Sequence, residues 1–265
     1  MEFYAKLANI FDYFRFIVPI EIAISFTFEV MSSIFRFKQF QIDQANCAMK
    51  INTDGVLLGS MVESDTTGYV LDIGTGTGVI AMMLAQKLPM AKVHAIELDP
   101  AASIQAGLNF TNSTFSDRLE VFSGSFQEMV TDVSYDLIVS NPPFYTNSLR
   151  NPDPRRTLAK HTDDVFFEEL IKFVDQNLSY KGKFYCILPP AIAAQIRDEL
   201  LQDTALYYNG SIEISSFSGD PAIRSLIQIS REDKAARQEK FVIYVSKGEY
   251  TSEYKALLKP YFLNF

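Results

Sequence analysis

Apolar residues fall along most of the chain in two alternating patterns. Short runs resembling buried strands cover Gly68–Ile73, Ala91–Leu98, Arg118–Phe122, Tyr135–Ser140 and Lys183–Leu188. Between them, Val79–Leu88, Ala101–Phe110, Val165–Leu178 and Ala191–Leu201 repeat apolar positions with helical spacing. Pro89, the Asp99-Pro100 pair and Pro189-Pro190 punctuate these segments. Strands alternating with helices of roughly ten to fifteen residues predict βαβ units, hence an α/β fold with a mainly parallel twisted sheet. After Gly210 the pattern changes. Ser211–Ser216, Arg224–Ser230 and Phe241–Ser246 follow one another without long helices, which predicts an antiparallel edge to that sheet. No internal repeat or low-complexity linker divides residues 35–265, so a single domain is expected.

Residues 1–35 differ from the rest, being rich in Phe and Ile. Asp12, Arg15, Glu21, Glu29 and Pro19 interrupt the run, and a membrane-spanning helix needs about twenty mostly apolar residues. Glu2 precedes Lys6 and no small-residue cleavage site follows, which argues against a secretory signal. Three readings of residues 1–30 stay open: a packed amphipathic appendage, a poorly ordered tail, or sequence upstream of a true start at Met31. The last is favoured, because an ordinary enzyme-like composition begins at Met31. The expected organisation is an extension over residues 1–30 and one domain over 31–265.

Composition narrows the function classes. Of the 265 residues, 48% are hydrophobic and 21% charged, enough apolar material for a large core. The net charge of −8, from 24 Lys+Arg against 32 Asp+Glu, argues against a protein that coats nucleic acid non-specifically. Cys47 and Cys186 form no CxxC pair, and His94 and His161 are the two histidines, so neither a disulfide framework nor a zinc cluster is expected. A reduced, cytoplasmic, metal-free monomer with no membrane attachment is the expectation.

The chemistry concentrates in two segments. Val70–Val79 carries Gly74, Gly76 and Gly78 after the first parallel strand. A dinucleotide fingerprint would place its third glycine at Val79, and no Lys-Ser/Thr ends the loop as in a phosphate-cradling P-loop. Glycines allow a tight turn and close approach of a ligand. Asp72 is expected beside that ligand, where its carboxylate suits an amine and repels a pyrophosphate. Glu97 ends the second strand, where a carboxylate can accept two hydrogen bonds from a ribose diol. Together these residues resemble the S-adenosylmethionine site of class I methyltransferases. In that family an acid after the third strand often accepts from the adenine amine. Ser125 stands there instead, followed by Phe126, so an adenine contact and an ordinary turn are both open.

After the fourth strand comes Asn141-Pro142-Pro143-Phe144, at the carboxyl end of the sheet. An exocyclic or amide nitrogen is a poor nucleophile because its lone pair is delocalised. The Asn141 side-chain oxygen and the Pro142 carbonyl can accept from such an NH₂ group and turn its lone pair towards a methyl donor. The prolines stiffen the loop. Phe144 offers a flat face to a flipped base, worth roughly 1–3 kcal/mol of stacking. No tuned general base is required.

Further blocks narrow the resemblance: Phe35–Phe40, Cys47–Lys50, Thr53–Gly59, Lys160–Thr162, Tyr250–Tyr254 and Tyr261–Leu263. With the two loops they make the chain similar to the bacterial tRNA (adenine-N6)-methyltransferases that modify adenosine 37 of a valine tRNA. The resemblance runs from about Ser33 to the C-terminus. It implies a Rossmann-like class I methyltransferase fold, S-adenosylmethionine as cofactor and tRNA as partner. It also implies that Lys50, Thr53 and Asp54 line the cofactor pocket, although Asp54-Gly55 alone reads as the cap of a short helix. Arg150, Arg155, Arg156 and Lys160 make a locally positive loop after the acceptor segment and can hold phosphates, or form a solvated loop. Arg36 and Lys38 can extend the same face. Protein glutamine methylation is the alternative, since it also uses Asn-Pro-Pro, as is adenine-N6 methylation of rRNA or DNA.

Overall fold

The computed structural model describes residues 33–143 and 155–265, with residues 155–164 described by backbone alone. A small antiparallel pair, β1 (Ile34–Arg36) and β2 (Gln41–Asp43), precedes a short helix α1 (Thr53–Met61). The main alternation follows: β3 (Tyr69–Ile73), α2 (Val79–Lys87), β4 (Lys92–Glu97), α3 (Pro100–Thr111), β5 (Leu119–Ser123) and β6 (Tyr135–Ser140). Helix α4 (Arg155–Asn177) leads into β7 (Leu178–Leu188), α5 (Pro190–Gln195) and β8 (Tyr207–Ser215). The chain ends with β9 (Arg224–Ser230), β10 (Arg237–Val242), the hairpin of β11 (Tyr244–Ser246) with β12 (Glu249–Tyr250), and α6 (Ser252–Leu258).

Eight strands form one sheet in the order β10-β8-β9-β7-β6-β3-β4-β5. Strands β3 to β7 are mutually parallel, and β9 runs antiparallel to both β7 and β8. The chain steps outward from β3 through β4 to β5, then crosses back to lay β6 on the other side of β3. That reversal is the topological switch point, where the carboxyl ends of neighbouring strands diverge and open a crevice. Ile73 of β3 lies in register with Ser140 of β6, so the two loops singled out above leave the sheet side by side. Two apolar layers hold the sheet. One packs α1, α2, α3 and α6 on one face through residues such as Leu57, Met82, Phe110 and Leu258. The other packs α4 and α5 on the opposite face through Leu170, Val174 and Ala193.

The α/β expectation holds, with four differences. The run Phe241–Ser246 is two strands parted at buried Ile243. Of these, β10 pairs parallel with β8 instead of extending the antiparallel edge. The reason is geometric. Strands β8, β9 and β10 alternate in direction, and because β7 already occupies the free side of β9, β10 docks on β8, which points the same way. Second, α4 begins at Arg155, so the described part of the expected positive loop is helical. Third, the second half of the Ala191–Leu201 helix widens into a π turn over Ile196–Leu200. Fourth, the cap of α1 is Asn52, not Asp54: the Asn52 side chain accepts from the Gly55 N–H at 2.9 Å.

Both cysteines are free and buried, and the described residues contain no cluster of metal-ligating side chains. Among them no helix is long and apolar enough to cross a membrane.

Candidate methyl-transfer site

A cavity of about 480 Å³ opens at the switch point between the loops after β3 and β6. Gly74 and Gly76 form its floor, with φ of +73° and +56°, and a Cβ at either position would meet no atom within 4 Å. The backbone there is bare towards the cavity, as close approach of a ligand demands. Gly78 has a different task. Its φ is +83°, and a Cβ would lie 2.5 Å from Phe110 Cε1, so this glycine lets α2 start against α3 and does not face the cavity.

Asp72 is not in the cavity wall, contrary to the sequence expectation. It is fully buried beneath the loop. Its Oδ2 accepts from Thr75 Oγ1 at 2.6 Å and from the Ala81 N–H at 3.2 Å, which fastens the loop to α2. Its Oδ1 has no hydrogen-bond partner among the described residues. Burial therefore pushes the carboxyl up to about 7; the two hydrogen bonds oppose this and Glu97 adds to it.

Glu97 does line the cavity. Its Oε2 accepts from the Gly76 N–H at 2.8 Å and its Oε1 from the Asp99 N–H at 2.9 Å. Each oxygen retains lone-pair capacity, so the carboxylate is both aimed by the backbone and able to accept from a diol. Ser125 and Phe126 lie further along the wall. The Ser125 hydroxyl caps a 3₁₀ turn over Phe126–Glu128 and meets the Gln127 side chain. Phe126 is held edge-on by Phe166 and Phe173, each with ring centroids at 5.6 Å.

Asn141, Pro142 and Pro143 close the other end of the cavity, and Ser140 anchors their strand by donating to the Ile73 carbonyl at 3.0 Å. The Asn141 amide faces the first turn of α1: a Cβ added to Gly55 would lie 3.5 Å from Asn141 Nδ2. Phe144 and Arg150 lie outside the described residues. Arg155, Arg156 and Lys160 fall on the first turns of α4, with only their backbone described.

The segment before α1 contributes Cys47, Ala48 and Met49 to the wall. Lys50 and Thr53 are exposed and do not line that wall, and Asp54 is engaged elsewhere, in an ion pair with Arg224 at 2.6 Å. Lys38 donates to the carbonyls of Lys259 and Phe265, tying β1–β2 to the chain end. The sequence reading missed Cys47, Met49, Leu98, Asp99 and Phe166 as wall residues. Burial, with Glu97, Asp99 and Asp43 nearby, raises the Cys47 thiol to about 11, which keeps it protonated.

The residues present fit S-adenosylmethionine: open glycine backbone, an oriented carboxylate at the end of β4, an aromatic wall beyond it, and an acceptor loop facing them. Fold and site together define a class I methyltransferase that depends on S-adenosylmethionine. The comparisons agree. The model of the methyltransferase small domain matches residues 45–189. A tRNA1(Val) (adenine(37)-N6)-methyltransferase of Pedobacter heparinus is 45% identical over 235 residues, covering 89% of this chain and all of the relative. The enzyme of that name from Bacteroides fragilis is 38% identical over 232 residues, covering 86% of this chain and 97% of the relative. Among solved structures, a predicted O-methyltransferase of Agrobacterium tumefaciens shares the fold, with a TM-score of 0.62 and 20% identity over 78% of this chain and 96% of that one. The chain belongs to the tRNA1(Val) (adenine(37)-N6)-methyltransferase family.

Proposed function

We propose that this protein transfers a methyl group from S-adenosylmethionine to the exocyclic N6 of an adenine in tRNA, with adenosine 37 of a valine tRNA as the target. The observation that carries the reading is that Asn141 and Pro142 share one cavity with Glu97, Gly74 and Gly76. Acceptor-aiming and donor-holding groups thus meet in one place. The cofactor supplies a methyl group made electrophilic by its sulfonium. The chain does the rest by position. Glu97 holds the ribose end, and the bare backbone at Gly74 and Gly76 admits the amino-acid end. The Asn141 Oδ1 and the Pro142 carbonyl accept from the adenine NH₂, which draws the nitrogen towards tetrahedral geometry and aims its lone pair along the transfer path. No side chain with a pKa near neutrality is needed to take the proton before attack, because the amine attacks neutral and loses its proton afterwards to solvent. Lys50 and Thr53, in the segment leading into α1, are assigned to cofactor contacts, and Arg150, with Arg155, Arg156 and Lys160 at the start of α4, to RNA contacts.

The test is transfer of tritiated methyl from S-adenosylmethionine to total tRNA, total rRNA and protein extract, followed by nucleoside analysis. The expected product is N6-methyladenosine in the tRNA fraction. Label confined to protein glutamine would keep the acceptor geometry and overturn the substrate.

A further inference from the structure

We infer that Asp54 and Arg224 form a positioning pair for the acceptor residue Asn141, and that Asp54 does not bind the cofactor. The inference deepens the function proposed above and rests on it. The Asp54–Arg224 pair joins two elements on the acceptor side of the cavity. Asp54 lies in the first turn of α1, and Arg224 is the first residue of β9, 170 residues away in sequence. The bond from Arg224 Nε to Asp54 Oδ2 measures 2.6 Å, and both side chains are mostly shielded, at 31% and 20% exposure. A charge-assisted bond at that depth is stronger and less screened than a surface pair.

What the pair holds is the turn that faces Asn141. Gly55, the residue after Asp54, is buried and presents its missing Cβ to Asn141 Nδ2 and to Asn52 Oδ1, at 3.5 and 3.6 Å from where a Cβ would stand. The first turn of α1 is therefore fixed from two sides. Asn52 caps it through the Gly55 N–H, and Arg224 holds it laterally through Asp54. Strand β9 is in turn fixed in the sheet, with Arg224 opposite Ile214 of β8 and Ser225 opposite Leu188 of β7. Helix α1, packed on α2 and β7, thus gains a side-chain tie to the antiparallel edge at the turn that faces the Asn141 carboxamide. An amide oxygen that must aim a lone pair is sensitive to displacements well below 1 Å, which is where such a brace matters. The Asp54 carboxylate is taken up by Arg224 and does not line the cavity, whose wall the segment before α1 supplies through Cys47, Ala48 and Met49.

The experiment measures, for Asp54→Ala, Arg224→Ala, the double variant and Asp54→Glu, the cofactor Kd by calorimetry and the single-turnover methylation rate at saturating cofactor and tRNA. The Tm of each variant is recorded, and assays run below the lowest one. The expected result is a 10- to 100-fold loss of rate in each alanine variant with cofactor Kd within about twofold of wild type. The double variant should be no slower than the worse single one, since the two act as a unit, and Asp54→Glu should recover part of the rate. A cofactor Kd raised tenfold or more in Asp54→Ala, with the saturated rate unchanged, would overturn the inference and make Asp54 a cofactor residue. Multiplying losses in the double variant would overturn it too, as would an unchanged rate in both single variants. If wild type methylates an acceptor other than tRNA adenine, the same variants are measured on that acceptor, so failure of the substrate assignment stays separate from failure of the pair.

Discussion

Asp72→Asn should change how stability depends on pH, because the carboxyl lies fully buried with one oxygen unpartnered. Its folded-state value of about 7 stands above the ordinary 3.8. The folded protein therefore holds a proton that the unfolded chain releases. The resulting stability is fully present below the unfolded value and is lost as pH rises through the folded one. The shift of about 3 units corresponds to roughly 4 kcal/mol, spread over pH 4 to 7. That is a large fraction of a typical net stability of roughly 5–15 kcal/mol. Asparagine keeps an acceptor for Thr75 Oγ1 and the Ala81 N–H, but leaves an NH₂ where Oδ1 has no partner. That adds a penalty of about 1–3 kcal/mol that does not vary with pH. The signal is thus a slope and not an offset. Urea unfolding of both proteins at pH 5, 6, 7 and 8.5, at fixed ionic strength, gives the stability difference at each pH, and all other titrating groups cancel in it. The variant should gain on wild type by about 2–3 kcal/mol between pH 5 and 7 and stay level above. A difference constant across that range would show that Asp72 is ionised in the folded protein and refute the account of the loop.

Three further outcomes are expected. Asn141→Ala should slow single-turnover methylation by about a hundred- to a thousand-fold, on the order of 3–4 kcal/mol, with cofactor Kd nearly unchanged; a near wild-type rate would move the acceptor site elsewhere. Glu97→Ala should weaken cofactor binding by roughly ten- to a hundred-fold, because it removes the diol acceptor and frees the Gly76 and Asp99 N–H groups together; calorimetry with an unchanged Kd would take Glu97 out of the site. Gly78→Ala should cost about 2–4 kcal/mol of stability through its φ and the clash with Phe110, whereas Gly76→Ala should cost about 1–2 kcal/mol and lose mainly cofactor affinity; urea unfolding beside calorimetry on both variants checks this, and equal behaviour of the two would undo the division of labour.

These contrasts mark where sequence reading succeeds. The central strands were legible because parallel strands buried on both faces read as continuous apolar runs; Tyr135–Ser140 matches β6 at both ends. The two loops were legible because their chemistry is local. The turn needs glycines in sequence, and the acceptor loop needs Asn followed by prolines. Residues whose role depends on how the loop folds around them, or on a distant partner, were not legible. Asp72 reads as a ligand group because it adjoins the loop, yet the loop folds over it. Asp54 reads as a cap, yet Asn52 caps the helix and Asp54 faces Arg224. The missed wall residues Met49, Leu98 and Phe166 are apolar, and nothing in their own spacing separates a cavity wall from core.

The edge strands join these points into one design. A parallel sheet alone would place donor and acceptor loops together at the switch between β3 and β6, but it would lack the Arg224 tie to the first turn of α1. The antiparallel β9, inserted between β7 and β8, reverses the chain so that its first residue, Arg224, arrives at the same end of the sheet as Asn141. A parallel strand in that place would bring its last residue there instead, followed by a crossover. The reversal delivers a strand start, held in register on both sides, next to the helix that backs the acceptor. The departure from a purely parallel sheet, visible in sequence as the loss of helices after Gly210, is thus tied to the side of the site that must aim a weak nucleophile.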